Sequence, residues 1–142
     1  MDLSRRVGSS GPYMVDSQLS FLNVGKWKVS VLRGFTTDGI SGPWFSRFFL
    51  DRFASVVVPA AVIHDGLYGA KWTSKLFADW VFFLAVLSCC ERASALRKGF
   101  ALVCGLLMFA GVALGGWIAW WKKSAESVVE ARKFVEISWS EK

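Results

Sequence analysis

A long uncharged segment near the carboxyl end limits the choice of fold more than any other part of the chain. Residues 99–121 read GFALVCGLLMFAGVALGGWIAWW, with Lys98 before them and Lys122 and Lys123 after them. About 20 apolar residues in a helix are enough to cross the hydrocarbon core of a bilayer. A helix that is apolar on all sides must be covered by lipid or by protein.

Some features of this segment favour a membrane span, and others favour a helix in a protein core. Three tryptophans lie at its end, as in the belts found at membrane surfaces: Trp117, Trp120 and Trp121. Gly111 and Gly115 have the small-residue spacing that lets two helices approach, which predicts pairing with a second copy. Against a membrane span, Gly115 and Gly116 together are expected to break the helix and leave a shorter one, typical of a protein core.

Composition supports an aromatic-rich, membrane-associated protein. The 142 residues suit one domain, while 54% hydrophobic residues, eight Trp and twelve Phe exceed ordinary soluble usage. The net charge of +6 is spread along the chain, which favours an anionic lipid surface as the partner over nucleic acid. No apolar run follows Arg5 and Arg6, so no cleavable signal peptide is expected. The cysteines lie in apolar stretches and are expected to be buried free thiols rather than disulfides or metal ligands: Cys89, Cys90 and Cys104.

The amino-terminal third predicts strands after a tail. Residues 1–17 are polar and rich in Gly and Ser, which predicts a flexible or partner-ordered tail. Residues 18–22 alternate weakly, and residues 26–32 alternate clearly between apolar and polar. A glycine-containing turn separates the two stretches, so they predict a β-hairpin. Residues 34–43 contain glycines and a proline and predict a loop.

Helices dominate the rest of the chain. They are expected over 44–53, 59–68, 75–90 and 99–121. Gly69 is expected to end the second helix, and Thr73 or Ser74 to cap the third. The charged residues 122–142 predict a surface helix that frays toward its end. The fold class is therefore α+β, with a small amino-terminal hairpin packed on three to four helices in one domain over 18–121.

One short stretch carries the residues best suited to chemistry. His64 is the only histidine of the chain, Asp65 follows it, and Tyr68 lies one helical turn further on. Burying a carboxylate without a partner is costly. Asp38 in the loop and Asp79 in the next helix are therefore expected to converge with Asp65 on the imidazole.

Such a cluster has a chemical interpretation. Asp38, His64, Asp65 and Asp79 together suit a divalent metal with nitrogen and oxygen ligands, such as Zn or Mn. The metal would activate water for hydrolysis, with a spare carboxylate as the base. Without a metal, His64 paired with Asp65 could serve as a general base, and Ser41 is then a candidate nucleophile.

The same residues have a structural interpretation. Thr37, Asp38 and Ser41 would hold the loop to the helices, with Tyr68 taking part in the latch. Asp38 could bond to the Ser41 amide within its own turn. The two helical carboxylates could bind nearby cations, namely Arg47, Arg52 or Lys75. Both interpretations depend on the same spatial convergence.

Three motifs in order resemble a known family. FTTDGISGPWF, AAVIHDGLYG and FADWVFFLAV are similar to segments of the phage-encoded family termed domain of unknown function 1353. The resemblance covers about residues 18–121. It implies a small compact fold and a source in a phage or prophage, with no established activity. The chain departs from the family pattern in its last helix, which is apolar throughout instead of partly polar.

Together these features predict a small membrane-associated phage protein. The first expectation is a virion or host-envelope component in which the His and Asp side chains are structural. The alternative is a metal-assisted hydrolase that acts on an envelope substrate such as peptidoglycan.

Overall fold

The computed structural model describes residues 3–5, 13–15, 18–23, 27–37, 58–89 and 94–139. Over these residues the protein is α+β, as predicted, with antiparallel strands and four helices. The strands are β1 (Leu3–Arg5), β2 (Tyr13–Val15), β3 (Leu19–Asn23), β4 (Trp27–Val31), β5 (Thr36–Thr37) and β6 (Val135–Trp139). The helices are α1 (58–70), α2 (Lys75–Cys89), α3 (Ala95–Lys122) and α4 (Ala125–Arg132).

The predicted hairpin is confirmed. β3 and β4 pair antiparallel, and β4 is the centre of a sheet with the order β3-β4-β6. The surface helix predicted for the carboxyl end is present as α4, but the third strand corrects the prediction that this helix frays toward the end. Residues 135–139 form β6, with Val135 opposite Val31 and Trp139 opposite Trp27. The alternation of apolar and polar residues in VEISW suits a half-buried strand.

A second small sheet has the order β1-β2-β5. Two of its strands lie within residues 1–17, where composition predicted a flexible tail. Val15 is fully buried, and its amide donates to the Phe35 carbonyl at 2.9 Å. Strands of three residues are too short to show a pattern of their own, so their pairing depends on the rest of the fold.

Helix α1 runs past its predicted end. Gly69 lies inside the helix, where a Cβ would come within 3.0 Å of the Ala131 Cβ. The chain leaves the helix at Lys71, which has a left-handed φ of 48° and donates its amide to the Leu67 carbonyl at 3.0 Å. Helix α2 begins as predicted, because the Ser74 hydroxyl accepts from the Phe77 amide at 3.3 Å.

Helix α3 corrects the prediction of a break. It is continuous through Gly115 and Gly116. Within it, Leu102–Lys122 is 21 residues long with a mean hydropathy of 2.1, enough by length and composition to cross a membrane, and only 11% of its apolar window is buried. The Gly116 position is explained by packing, since it faces Tyr68 and Lys75.

Helix α1 lies between the β3-β4-β6 sheet and most of α2 and α3, and the start of α2 also reaches the sheet, where the Phe77 and Trp27 rings lie 5.4 Å apart. On one side, a Cβ at Gly66 would meet Val31 at 2.9 Å and Val135 at 3.2 Å. On the other side, Ala60 and Ala61 pack with Phe82, Ala85 and Val86 of α2 and with Met108 and Val112 of α3. The polar side chains of α1 therefore meet α2 and α3 inside the protein.

Several predictions fall on residues that are not described. The loop residues Asp38 and Ser41, the helix expected over 44–53 and Cys90 lie outside the described ranges. Their roles stay predictions. Cys104 is a buried free thiol, as expected.

Candidate functional site

Asp79 is the centre of a buried polar cluster. Its carboxylate has no exposure to solvent. One oxygen, Oδ1, accepts a hydrogen bond from the Tyr68 hydroxyl at 2.6 Å and lies 2.9 Å from His64 Nε2. The other, Oδ2, accepts from the Lys75 ammonium at 2.6 Å. We call His64, Tyr68, Lys75 and Asp79 the buried cluster.

Helical spacing explains why these four side chains meet. His64 and Tyr68 are four residues apart on α1, and Lys75 and Asp79 are four residues apart on α2. Residues with this spacing lie on one face of a helix. The two pairs therefore face each other where α1 packs against α2, and the His64 and Tyr68 rings lie with centroids 4.1 Å apart.

The buried cluster also binds helix α3. The Lys75 ammonium donates to the carbonyls of Val112 at 2.9 Å and Ala113 at 3.0 Å. A Cβ at Gly116 would collide with the Tyr68 hydroxyl and lie 3.3 Å from Lys75 Cε. With the Asp79 bond, the three hydrogen bonds of Lys75 use the full donor capacity of an ammonium group. Lys75 therefore joins α2 to the middle of α3.

A second contact extends the site to the small sheet. The Thr37 hydroxyl of β5 donates to Asp65 Oδ2. Asp65 Oδ1 lies 4.0 Å from His64 Nδ1. Both nitrogens of the imidazole thus face carboxylates, Asp65 on one side and Asp79 on the other, and His64 itself is buried. Of these two contacts, only that of Nε2 with Asp79 is within hydrogen-bond distance, so the ring joins α1 to α2 through Asp79.

Electrostatics keep the charge of the buried cluster balanced. Burial alone raises the pKa of Asp79, but hydrogen bonds from His64, Lys75 and Tyr68 outweigh it and hold that pKa below its ordinary value of 3.8. The pKa of Tyr68 is raised, first by burial and then by its hydrogen bond to Asp79 and the nearby carboxylate charges. Asp79 is therefore an anion paired with the Lys75 cation, and Tyr68 is a neutral donor.

The predicted metal site finds no support in this geometry. Across the described residues, no group of three or more His, Cys, Asp or Glu side chains is arranged to hold a metal ion. Asp79 is already paired with a cation, because the Lys75 ammonium donates to its Oδ2 at 2.6 Å. Of the four proposed ligands, His64, Asp65 and Asp79 lie close together, and Asp38 lies outside the described part of the chain.

Comparison with known proteins adds the family. The family model described as "Protein of unknown function (DUF1353)" matches residues 13–112. The chain belongs to this family. No curated protein and no solved structure matches it significantly. The DUF1353 match includes the whole buried cluster, whereas Gly116 and Trp120, which α3 packs against it, lie beyond the matched residues.

Sequence reasoning missed the contribution of α3 to the site. Trp120 packs edge-on against Tyr68 with ring centroids 5.1 Å apart, and the Trp117 ring lies 5.0 Å from the Lys75 ammonium. The sequence did contain a signal, because Gly116 lies one turn before Trp120. This spacing puts the space left by the glycine and the indole ring of Trp120 on the same face of the helix. The pair Gly115–Gly116 indicated a break instead, because propensity alone disfavours glycine in a helix.

The lowered pKa of Asp79 predicts acid sensitivity. A group whose pKa is lower in the folded than in the unfolded state stabilises the fold above its unfolded pKa. We therefore expect the free energy of unfolding to fall as the pH drops below about 4. Denaturant titrations between neutral and acidic pH measure this slope. Asp79→Asn should flatten the slope, and identical slopes for the two proteins would contradict the assignment.

Proposed function

We propose that this protein is a small membrane-associated component of a phage or prophage, acting in the virion or the host envelope. The buried cluster has a structural role in this proposal, and membrane lipid is the partner. The phage source rests on the resemblance of the three motifs to a phage-encoded family. The membrane association rests on the surface of the protein.

A large exposed apolar surface carries the proposal. We call it the apolar face. Its members are Leu76, Trp80, Leu102, Val103, Leu106, Leu107, Leu114, Trp117, Ile118 and Trp121. Soluble monomers rarely expose contiguous apolar surface of this extent. Leu114, for example, is 82% exposed, and such a side chain gains free energy when it leaves water.

Cations and aromatic rings accompany this surface. Lys122 and Lys123 follow Trp121 directly, and the Lys71 ammonium lies 5.3 Å from the Trp120 ring centroid. Tryptophan and lysine together favour the headgroup region of a bilayer. The net charge of +6 adds attraction to anionic lipid.

The buried cluster supports this role by fixing α3. Apolar side chains already pack one side of α3 on the domain, and the Phe109 and Phe83 rings, for example, lie 5.9 Å apart. Lys75 adds polar contacts, because its hydrogen bonds reach the Val112 and Ala113 carbonyls from the Asp79 carboxylate. The α3 helix is thereby attached to the domain through α2.

Membrane binding is tested by flotation of the purified protein with phosphatidylcholine and phosphatidylglycerol vesicles at high salt. We expect the protein to float, and Leu114→Glu to lower the bound fraction about tenfold or more, since a charge in the apolar region costs roughly 2–3 kcal/mol. Val129→Glu is the matched control, because Val129 is also exposed, at 59%, but lies on α4 outside the apolar face. Wild-type protein that stays unbound, or equal loss in both variants, would contradict the proposal.

Self-association is a second expectation. Gly111 and Gly115 are exposed, with nothing within 4 Å of a Cβ at either position. Their spacing would let the α3 helix of another copy approach closely. Gly111→Leu should then lower the dimer fraction seen by cross-linking in mild detergent. A wild-type protein that is strictly monomeric at all concentrations would exclude this pairing.

A further inference from the structure

We propose that α3 lies along the membrane surface, with the apolar face immersed in one leaflet, and does not cross the bilayer. This inference rests on the membrane association proposed above and specifies its geometry. It differs from what length and hydropathy suggest, because those two quantities ignore what packs beside the helix. The contacts of α3 decide the matter.

Protein covers one side of α3 along most of its length. A Cβ at Gly105 would lie 3.4 Å from the Phe83 ring of α2, and the Tyr68 ring of α1 packs against Trp120. Between these two points, Lys75 bonds to the Val112 and Ala113 carbonyls. From Gly105 to Trp120 a helix rises about 22 Å. Helices α1 and α2 therefore flank α3 over about 22 Å of its axis.

Strands with exposed polar side chains lie beside the same part of the α3 axis, on the far side of α1. The β3-β4-β6 sheet packs on the side of α1 that faces away from α3, through Gly66, Val31 and Val135. Its other surface carries exposed polar side chains, including Lys28 and Glu136. If α3 stood upright in a bilayer, these groups would enter the hydrocarbon, where a charged side chain is strongly disfavoured.

The uncovered part of α3 is too short to cross alone. Residues 95–103 precede Cys104, the first buried side chain among those described in α3, and span about 14 Å. This is about half of a hydrocarbon core of about 30 Å. The charged residues Arg97 and Lys98 would also have to enter the membrane first. An upright position therefore requires the domain to come apart.

If α3 lies flat on the membrane, one side of the helix stays packed on protein and the apolar side is covered by lipid. At about 100° per residue, Val103, Leu107, Leu114, Ile118 and Trp121 fall on one side of α3, opposite the positions that pack on α1 and α2. Leu76 and Trp80 of α2 are exposed as well, and the Trp80 ring lies 6.1 Å from the Phe109 ring at the edge where α2 meets α3. The occupant is a leaflet containing anionic lipid, as the lysines at both ends of α3 and the +6 net charge indicate.

Depth measurements separate the two geometries. Single cysteines for spin labels replace Val103, Leu107, Leu114 and Ile118 in turn, in a variant without the natural cysteines, reconstituted in phosphatidylcholine and phosphatidylglycerol vesicles. We expect all four labels at a similar depth, about 5–10 Å below the headgroups. An upright helix would instead place the Leu114 label about 10 Å deeper than the Val103 label. That gradient would overturn the inference, and a label at Val129 should remain in water as the control.

Sidedness provides an independent readout. Lys98→Cys and Lys123→Cys, each as the single cysteine, are treated with a membrane-impermeant maleimide in sealed vesicles from expressing cells. We expect both positions to react from the same side. Protection of one position only would show a crossing and overturn the inference while leaving membrane association intact. Failure of the wild-type protein to bind vesicles would overturn membrane association as well. Magnetic coupling between spin labels on different copies in the absence of lipid would show that the apolar face is a protein interface, and would also overturn the inference.

Discussion

Lys75→Met is expected to lower the free energy of unfolding by about 3–5 kcal/mol, because it leaves the Asp79 carboxylate buried without its cation. The Lys75 and Asp79 side chains are 2% and 0% exposed, so water cannot replace the lost partner. Asp79→Asn should cause a loss of similar size, since it leaves the ammonium unpaired. Guanidinium unfolding in mild detergent, followed by tryptophan fluorescence, measures both.

The double variant tests whether the two charges act as a pair. Lys75→Met with Asp79→Asn removes both charges and keeps an oxygen that the Tyr68 hydroxyl can bond. Its loss should be smaller than the sum of the single losses by roughly 2–3 kcal/mol. The control is Glu130 and Lys133 on the surface, which have the same N–O distance of 2.6 Å but are about 60% exposed. Their coupling should be below about 1 kcal/mol, and equal coupling in the two pairs would refute a special role of burial.

Gly116→Ala is expected to lower the free energy of unfolding by about 1–3 kcal/mol, as overpacking in a tight core does. The added Cβ would collide with the Tyr68 hydroxyl, which cannot move away without losing its hydrogen bond to Asp79. The neighbouring lysine side chain at 3.3 Å restricts the other direction. The same unfolding titration measures this loss.

The adjacent glycine is the matched control. Nothing lies within 4 Å of a Cβ at Gly115. Gly115→Ala should therefore raise stability by up to about 1 kcal/mol, because alanine is the better helix former. Opposite signs for two neighbouring residues are the result expected if α3 packs on the buried cluster. Similar effects for both variants would mean that α3 does not approach α1 and α2 as described.

The residues changed in these variants belong to the buried cluster or pack against it. The buried cluster joins three helices, and Thr37 with Asp65 adds the small sheet. A balanced ion pair with its hydrogen bonds satisfied is tolerated inside a protein, whereas either charge alone is not. The position of the apolar face therefore depends on polar contacts made beneath it.

Local patterns in the sequence determined much of the fold. Alternation over 26–32 predicted β4, and the apolar stretches predicted α2 and the presence of the long apolar helix, although not its continuity through Gly115 and Gly116. His64 stood out as the only histidine of the chain. Asp65 and Asp79 stood out as carboxylates in apolar surroundings, which need a partner if they are buried. The resemblance of the motifs identified the family that the match over 13–112 confirms. In each case the prediction used either a pattern of neighbouring residues or a single polar side chain that needs a hydrogen-bond or charge partner when buried.

Other features were decided only by the tertiary structure. Val135–Trp139 is a strand because β4 offers an edge to pair with, and Gly116 stays helical because Tyr68 fills the space beside it. The Asp79 carboxylate is paired with Lys75 because the packing of α1 on α2 brings His64, Tyr68 and Lys75 to one carboxylate. Hydropathy made α3 a candidate span, whereas the helices and sheet beside it lead us to place it along the membrane. These outcomes depend on contacts between residues far apart in the chain, so a local pattern such as the alternation in VEISW does not decide them by itself.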